Sequence, residues 1–258
     1  MSIKLLWPSG SLEDCELIVF DKDGTIVDFY SVWLNMAASR AQWLADRLSS
    51  NSHELFSWRN RFLRAAGVDP ESGDIDLSGP IVNLSFENQS YCLATLLHTN
   101  IPDKYSWHKA LELTNESVEW ALYHNDPASM SVPIPGAFEF IKALGKTKLV
   151  KLALITSDST INAERTLERF DVKDLFSEIQ GSDIHPSKPS PRALLNVCQK
   201  LGVSPEKTLV IGDAPNDIQM ALGAKAKIIC IEGIGSKEQL ISLGANSTFS
   251  NWSELSFE

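Results

Sequence analysis

No stretch of this 258-residue chain approaches 18 consecutive apolar residues, the length that marks a candidate membrane-spanning helix. The first ten residues hold one lysine and a three-residue apolar run ahead of Pro8, far short of the core of a secretory leader. Basic residues are outnumbered, 23 Lys and Arg against 33 Asp and Glu, and the formal net charge is −10. A face for nucleic acid or for an anionic membrane needs a basic excess. Cysteine is scarce. Cys15, Cys92, Cys198 and Cys230 form no CxxC pair and no metal-ligand spacing, which suits buried free thiols in a reducing compartment. These absences predict a cytoplasmic protein that binds neither membrane nor nucleic acid.

What is present is ordinary for a globular protein: 43% hydrophobic and 22% charged residues. A chain of this length can bury a sizeable core, in one large domain or in a domain plus an insert.

One stretch organises the rest. Glu16-Leu17-Ile18-Val19-Phe20 is a short, β-branched apolar run and predicts a buried strand. It stops at Asp21, and Asp23-Gly24-Thr25 follows after Lys22. Residues i and i+2 of an extended backbone share a side, so Asp21 and Asp23 are expected to point into one pocket at the strand end and Lys22 away from it. Gly24 permits a sharp turn. Two adjacent carboxylates repel, and a divalent cation, or one carboxyl held protonated, relieves that repulsion; the plainer alternative is a solvated turn after a strand.

Three later stretches also stand out, two of them of the same form. Leu149 to Ile155 predicts a strand ending in Thr156-Ser157-Asp158, with Ser157 to Ser159 capping a helix from Ile161 to Phe170. His185-Pro186-Ser187-Lys188-Pro189-Ser190-Pro191 precedes a helix through Lys200, and its prolines hold Lys188 with little freedom. Thr208 to Ile211 predicts a strand ending in Gly212-Asp213-Ala214-Pro215-Asn216-Asp217. Shorter strands are expected at Ile3 to Trp7, Ser177 to Gly181 and Ala226 to Ile231, and helices at Gly136 to Lys146 and Ser236 to Leu243. Pro8 to Glu13 reads as a loop, and the tail from Ala245 as a last short strand that frays. His185 and Asp28 read as bystanders to the chemistry.

Between these core segments the text turns helical. Val32 to Leu48, Glu54 to Ala66 (ended by Gly67), Asn83 to Leu97 and Asp103 to Tyr123 carry helical spacing, with a polar loop from Asp69 to Pro80. Five of the seven Trp residues fall here, expected as core packing. Arg59, Arg61 and Arg64 read as a solvated helix face, with the alternative that one of them reaches a substrate anion. Alternating strands and helices elsewhere imply an α/β core, a doubly wound parallel sheet with ligands beyond the carboxyl ends of its strands. The expected division is 1–28 with 132–258 as the core and 29–131 as an inserted all-helical domain.

Asp-x-Asp-Gly-Thr after an apolar strand resembles the first motif of the haloacid dehalogenase-like superfamily, and the Thr156, Lys188 and Asp213–Asp217 stretches resemble its other three, in order. The layout is most similar to the phosphoglycolate phosphatase-like branch, and the insert to its helical cap. The resemblance implies Asp21 as nucleophile, forming an aspartyl-phosphate, and Asp23 as general acid and base. It implies that Thr156 holds a phosphoryl oxygen, with Gly24, Thr25 and Ser157 beside the phosphate, and that Lys188 neutralises charge. It further implies Mg²⁺ held by Asp21, the Asp23 backbone carbonyl, Asp213 and water, with Asp217 as a water-mediated partner that orients Lys188. The expected activity is hydrolysis of a small phosphorylated metabolite by a monomer or homodimer, the insert closing as a lid. A sugar phosphomutase using the same residues, and a non-catalytic phosphate-binding protein, are the alternatives.

Overall fold

A computed structural model describes residues 2–258 and divides the chain into two compact units, 1–29 with 131–258, and 30–130. The first unit opens with β1 (Ile3–Trp7), β2 (Gly10–Cys15) and β3 (Leu17–Phe20). β2 lies where a loop was expected. Its Glu13 and Asp14 are solvent-facing, whereas Leu12 and Cys15 turn inward and the strand pairs antiparallel with β1. The pairing shifts register between Cys15 and Leu12, with Asp14 at φ +52°, so two adjacent carboxylates face solvent and strict alternation is broken, which obscured the strand.

The second unit is helical. After a π-helical stretch at Tyr30–Leu34 it contains α1 (Asn35–Leu48), α2 (Ser52–Ala66), α3 (Pro80–Asn83), α4 (Gln89–Asn100), α5 (Trp107–His124) and α6 (Pro127–Met130). Asn51 caps α2 by accepting from the Glu54 N–H at 3.0 Å, and Gly67 ends it with φ +89°, a left-handed conformation that glycine takes without strain. α4 and α5 begin later than their apolar spacing suggests, at Gln89 and Trp107. Trp33 and Trp43 are core residues, packed toward Phe86 and Trp120, but Trp107 is exposed. Arg61 lies over the Trp58 ring and Arg64 is 4.0 Å from Glu71, both at the surface of this unit.

Arg40 is the exception inside the helical unit. Its guanidinium is 2% exposed and crosslinks three helices by donating to Ser117 Oγ, Ser90 Oγ and the Phe86 and Thr114 carbonyls. Burial lowers its pKa to about 9. The sequence places it on the buried stripe of α1 with Met36, Ala37, Ala41 and Leu44.

The chain re-enters the first unit beside its exit: Asp28 N–H donates to Val132 O and Ile134 N–H to Ile26 O. There follow α7 (Ala137–Thr147), β4 (Lys151–Ile155), α8 (Thr160–Arg169), β5 (Glu178–Gln180), α9 (Pro191–Leu201), β6 (Thr208–Gly212), α10 (Pro215–Gly223), β7 (Lys227–Ile231), α11 (Lys237–Ser242), β8 (Ser247–Phe249) and β9 (Ser256–Phe257). The main sheet runs β5-β4-β3-β6-β7-β8, parallel throughout.

Period-two alternation divides the core of this sheet. Ile18 and Phe20 join Leu152, Leu154, Leu209 and Ile211 under α7 and α8, while Leu17 and Val19 join Ala153, Ile155 and Val210 under α9 and α10. Both faces are therefore buried, as a doubly wound sheet requires. The tail does not fray. Trp252 is 2% exposed among Phe20, Phe140 and Phe249, and β9 pairs antiparallel with β1. Among the described residues no helix is long and apolar enough to cross a membrane.

Candidate active site

The parallel register brings the site residues to one edge. Phe20 is level with Leu154 of β4 and Ile211 of β6, so Asp21, Thr156 and Asp213 emerge together where those strands end. Asp21 is locked to the edge through its N–H, which donates to Ile211 O at 2.8 Å. β3 ends at Phe20 because the chain then winds around a single acceptor: the N–H groups of Thr25, Ile26 and Val27 all donate to Lys22 O.

That turn corrects one expectation. Side-chain alternation stops with the strand, so Lys22 does not sit opposite Asp23. Its ammonium is fully buried, 2.7 Å from Asp23 Oδ1 and 3.1 Å from Asp158 Oδ2.

Asp21 has different partners. Its Oδ1 is 2.5 Å from Lys188 Nζ, which is also 2.5 Å from Asp217 Oδ1. Thr25 Oγ1 lies 3.4 Å from Asp21 Oδ2 and 3.2 Å from Asp213 Oδ1, placing one hydroxyl between two carboxylates. Asp217 Oδ2 accepts from the Asp213 and Ala214 N–H groups, which fixes it at the first turn of α10. Asp21, Asp213 and Asp217 are buried and can each offer an oxygen within 4.8 Å of the others. The Asp23 side chain turns instead to Lys22, and no side-chain oxygen of Asp23 joins this group.

Burial raises the pKa of Asp21, a rise that Lys188 partly offsets. It raises Asp213 well above the usual carboxylate range, helped by the charges of Asp21 and Asp217. Asp23 is pushed up to about 6, again by burial, with Lys22 opposing. Burial works against the charge of Lys188, yet Asp21 and Asp217 outweigh it and hold the ammonium above its usual pKa.

Three buried carboxylates against one ammonium leave an excess of negative charge. Asp213 Oδ2 is buried and has no hydrogen-bond partner. A buried, unsatisfied carboxylate oxygen is costly, and a hard divalent cation with oxygen ligands would relieve that cost. Gly24 keeps this oxygen uncovered. With φ +82°, a Cβ there would lie 2.0 Å from Asp213 Oδ2. The residues present therefore fit a cation.

Thr156 is buried, its N–H donating to Gln180 O and its Oγ1 accepting from the Asp158 N–H at 3.1 Å. Ser157 beside it is half-buried. Ser159 Oγ caps α8 by accepting from the Asn162 N–H at 3.4 Å. Two groups escaped the sequence reading. Asp158 fixes Lys22, and Gln180 anchors the loop that carries Lys188, its amide donating to Pro186 O at 2.9 Å. Neither has a local signal, since each acts across a distance in sequence.

Comparison with known proteins agrees with this geometry. Residues 15–225 match the family model described as haloacid dehalogenase-like hydrolase. The chain is 30% identical over 248 residues to a phosphoglycolate phosphatase of Chromobacterium violaceum, covering 95% of this chain and 96% of that one. It is 30% identical over 152 residues to that of Psychrobacter arcticus, where the match covers 56% of this chain and 66% of the relative; with that of Rhodospirillum rubrum the match spans 56% of the relative's length. The fold is similar to a predicted phosphoglycolate phosphatase from Haemophilus somnus 129pt, with TM-score 0.68, 20% identity and coverage of 93% and 95%. It is also similar to a proposed β-phosphoglucomutase from Thermotoga maritima, with TM-score 0.58, 22% identity and coverage of 93% and 96%. Four motifs in order at one sheet edge, together with a match over most of the chain, place this protein in the haloacid dehalogenase-like hydrolase family.

Proposed function

We propose that this protein is a Mg²⁺-dependent phosphatase that hydrolyses a small phosphate monoester through an aspartyl-phosphate on Asp21. The observation that carries the reading is the separate holding of the two carboxylates. Asp21 is bound to Lys188 and Thr25 beside the unpartnered oxygen of Asp213, and Asp23, two residues on, is bound to Lys22. One carboxylate is thus paired with Lys188 inside the acidic cluster that fits a cation, and the other is held apart against Lys22, where a proton is tolerated. Unlike environments for paired carboxylates are how acid and base roles are divided.

In this reading Asp21 attacks phosphorus in line, and a P–O bond forms to its carboxylate as the ester P–O bond breaks. Asp23 gives its proton to the leaving oxygen. In the second step Asp23 takes a proton from water, and that water displaces Asp21 from phosphorus. Lys188 compensates the charge of Asp21 throughout, and the Thr156 hydroxyl orients a phosphoryl oxygen. Asp21, Asp213, the Asp23 carbonyl and water would hold Mg²⁺, with Asp217 acting through water, and the ion would supply positive charge for the phosphoryl oxygens. The helical unit is assigned the part of the cap that selects the substrate.

Phosphoglycolate is the substrate to try first, because the curated relatives carry that name. The test is phosphate release from a panel of small esters, with Asp21→Asn and excess chelator as controls. Release by the wild type that both controls abolish supports the reading; full turnover in either control overturns it. The fold likeness to a proposed β-phosphoglucomutase motivates one further measurement: isomerised sugar phosphate in place of free phosphate would identify a mutase.

A further inference from the structure

Lys22 stands between two carboxylates with no exposure to solvent, and the role proposed for Asp23 does not account for it. Its ammonium is 2.7 Å from Asp23 Oδ1 and 3.1 Å from Asp158 Oδ2. Asp158 is itself immobilised. Its Oδ1 accepts from the Ser159 N–H at 2.7 Å and from Asn162 Nδ2 at 3.1 Å, its N–H donates to Thr156 Oγ1, and its carbonyl accepts from the Ser182 N–H. The backbone of Lys22 is equally constrained, because its carbonyl is the common acceptor of the turn that follows β3. A rigid path therefore runs from the start of α8 through Asp158 and Lys22 to one oxygen of Asp23.

A side chain with a proton to deliver gains from such a path. Asp23 has two single-bond torsions, and its carboxyl group must meet the leaving oxygen within hydrogen-bond reach. The hydrogen bond from Lys22 occupies Oδ1 and leaves Oδ2 as the oxygen that carries and releases the proton. A lysine buried only to neutralise charge would not need a second carboxylate fixed by two hydrogen bonds of its own.

We propose that Lys22 and Asp158 form a positioning pair that holds the carboxyl group of Asp23 in its acid/base orientation, an assignment that rests on the role given to Asp23 above. Neither residue touches the phosphoryl group. Both act through Asp23, so their loss is felt only where proton transfer matters.

That restriction supplies the test. An aryl phosphate with a good leaving group needs little protonation, whereas an alkyl phosphate needs the general acid, whose contribution is typically about 10²–10⁴-fold. Single-turnover rates of phospho-enzyme formation would be measured for both esters in the Mg²⁺-loaded protein and in Lys22→Met, Asp158→Asn, Asp23→Asn and Lys22→Met/Asp23→Asn. With the pairing, Lys22→Met slows the alkyl ester by about 10²-fold and the aryl ester by less than about tenfold, with substrate affinity unchanged. In the Asp23→Asn background the same change adds nothing further. Should Lys22→Met fail to fold, Asp158→Asn, which keeps an acceptor at Oδ1, carries the same split at smaller amplitude.

Equal losses on the two esters, or a full further loss in the double variant, overturn the positioning role alone. Wild-type alkyl turnover by Asp23→Asn overturns the acid/base reading and the inference with it.

Discussion

Replacing Gly24 by alanine separates a metal-facing carboxylate from a strained turn. Gly24 has φ +82°, and an alanine Cβ there would lie 2.0 Å from Asp213 Oδ2 and 2.6 Å from its Cγ. A comfortable carbon–oxygen contact is about 3.3 Å or more, so the Asp213 carboxylate has to retreat by roughly 1 Å. Backbone strain alone costs about 1–2 kcal/mol for a non-glycine residue in this region. Gly73 supplies the control. It has φ +79°, and a Cβ there meets nothing within 4 Å, so Gly73→Ala carries strain without the collision. In a chain of this size 1 kcal/mol corresponds to a Tm change of roughly 2–4 °C, and both variants should lose a few degrees by that route. Only Gly24→Ala should also lose about 10²-fold in phosphate release, the scale expected when a reacting group is misplaced by about 1 Å, and should need more Mg²⁺ for half activity. The assay is phosphate release against Mg²⁺ concentration, with melting curves in parallel. If Gly24→Ala matches Gly73→Ala in activity and Mg²⁺ requirement, the uncovered oxygen of Asp213 is not where the cation is held.

Other consequences follow from the same geometry. Burial raises the pKa values of Asp21, Asp23 and Asp213, so the metal-free folded state keeps protons that the unfolded chain releases above about pH 4. Metal-free stability should therefore fall as pH rises from about 4 through 6 and beyond. Asp23, pushed up to about 6, contributes a loss on the order of 3 kcal/mol by neutral pH. Saturating Mg²⁺ should flatten that slope, and a metal-free Tm that rises over the same window would contradict the charge balance described for the site. In the helical unit, Arg40→Met removes donors to two carbonyls and two hydroxyls. The Ser117 and Ser90 hydroxyls still donate to Thr114 O, so the Phe86 carbonyl loses most. An unpaired buried acceptor costs about 1–3 kcal/mol, chemical denaturation should show a loss of that order, and no measurable change would mean these bonds are readily replaced.

The sheet edge was legible because each site residue follows an unbroken apolar run. Phe20, Ile155 and Ile211 each hand over to a polar group within two residues, and parallel pairing in register did the rest. Lys188 was legible through the prolines around it. Of the small antiparallel sheet, β1 and a short strand in the tail were legible, but β2 and the pairing were not, because β2 shows two carboxylates to solvent and β9 is two residues long. The contact from Lys22 to Asp158 was hidden for a different reason. Alternation along a strand sent Lys22 the wrong way, and only the turn that begins after Phe20, together with a partner far along the chain, redirects it. Arg40 could have been noticed, since a charged residue on the apolar stripe of α1 requires buried partners.

The central claim is that phosphorus is transferred to Asp21. Asp23→Asn, mixed with Mg²⁺ and a radiolabelled aryl phosphate and quenched in acid, should trap label on the protein, because water then lacks its base for the second step. Proteolysis should place that label on the peptide containing Asp21, and the Asp21→Asn/Asp23→Asn double variant should carry none. Label on another residue, or continued turnover with Asp21 replaced, would contradict the account.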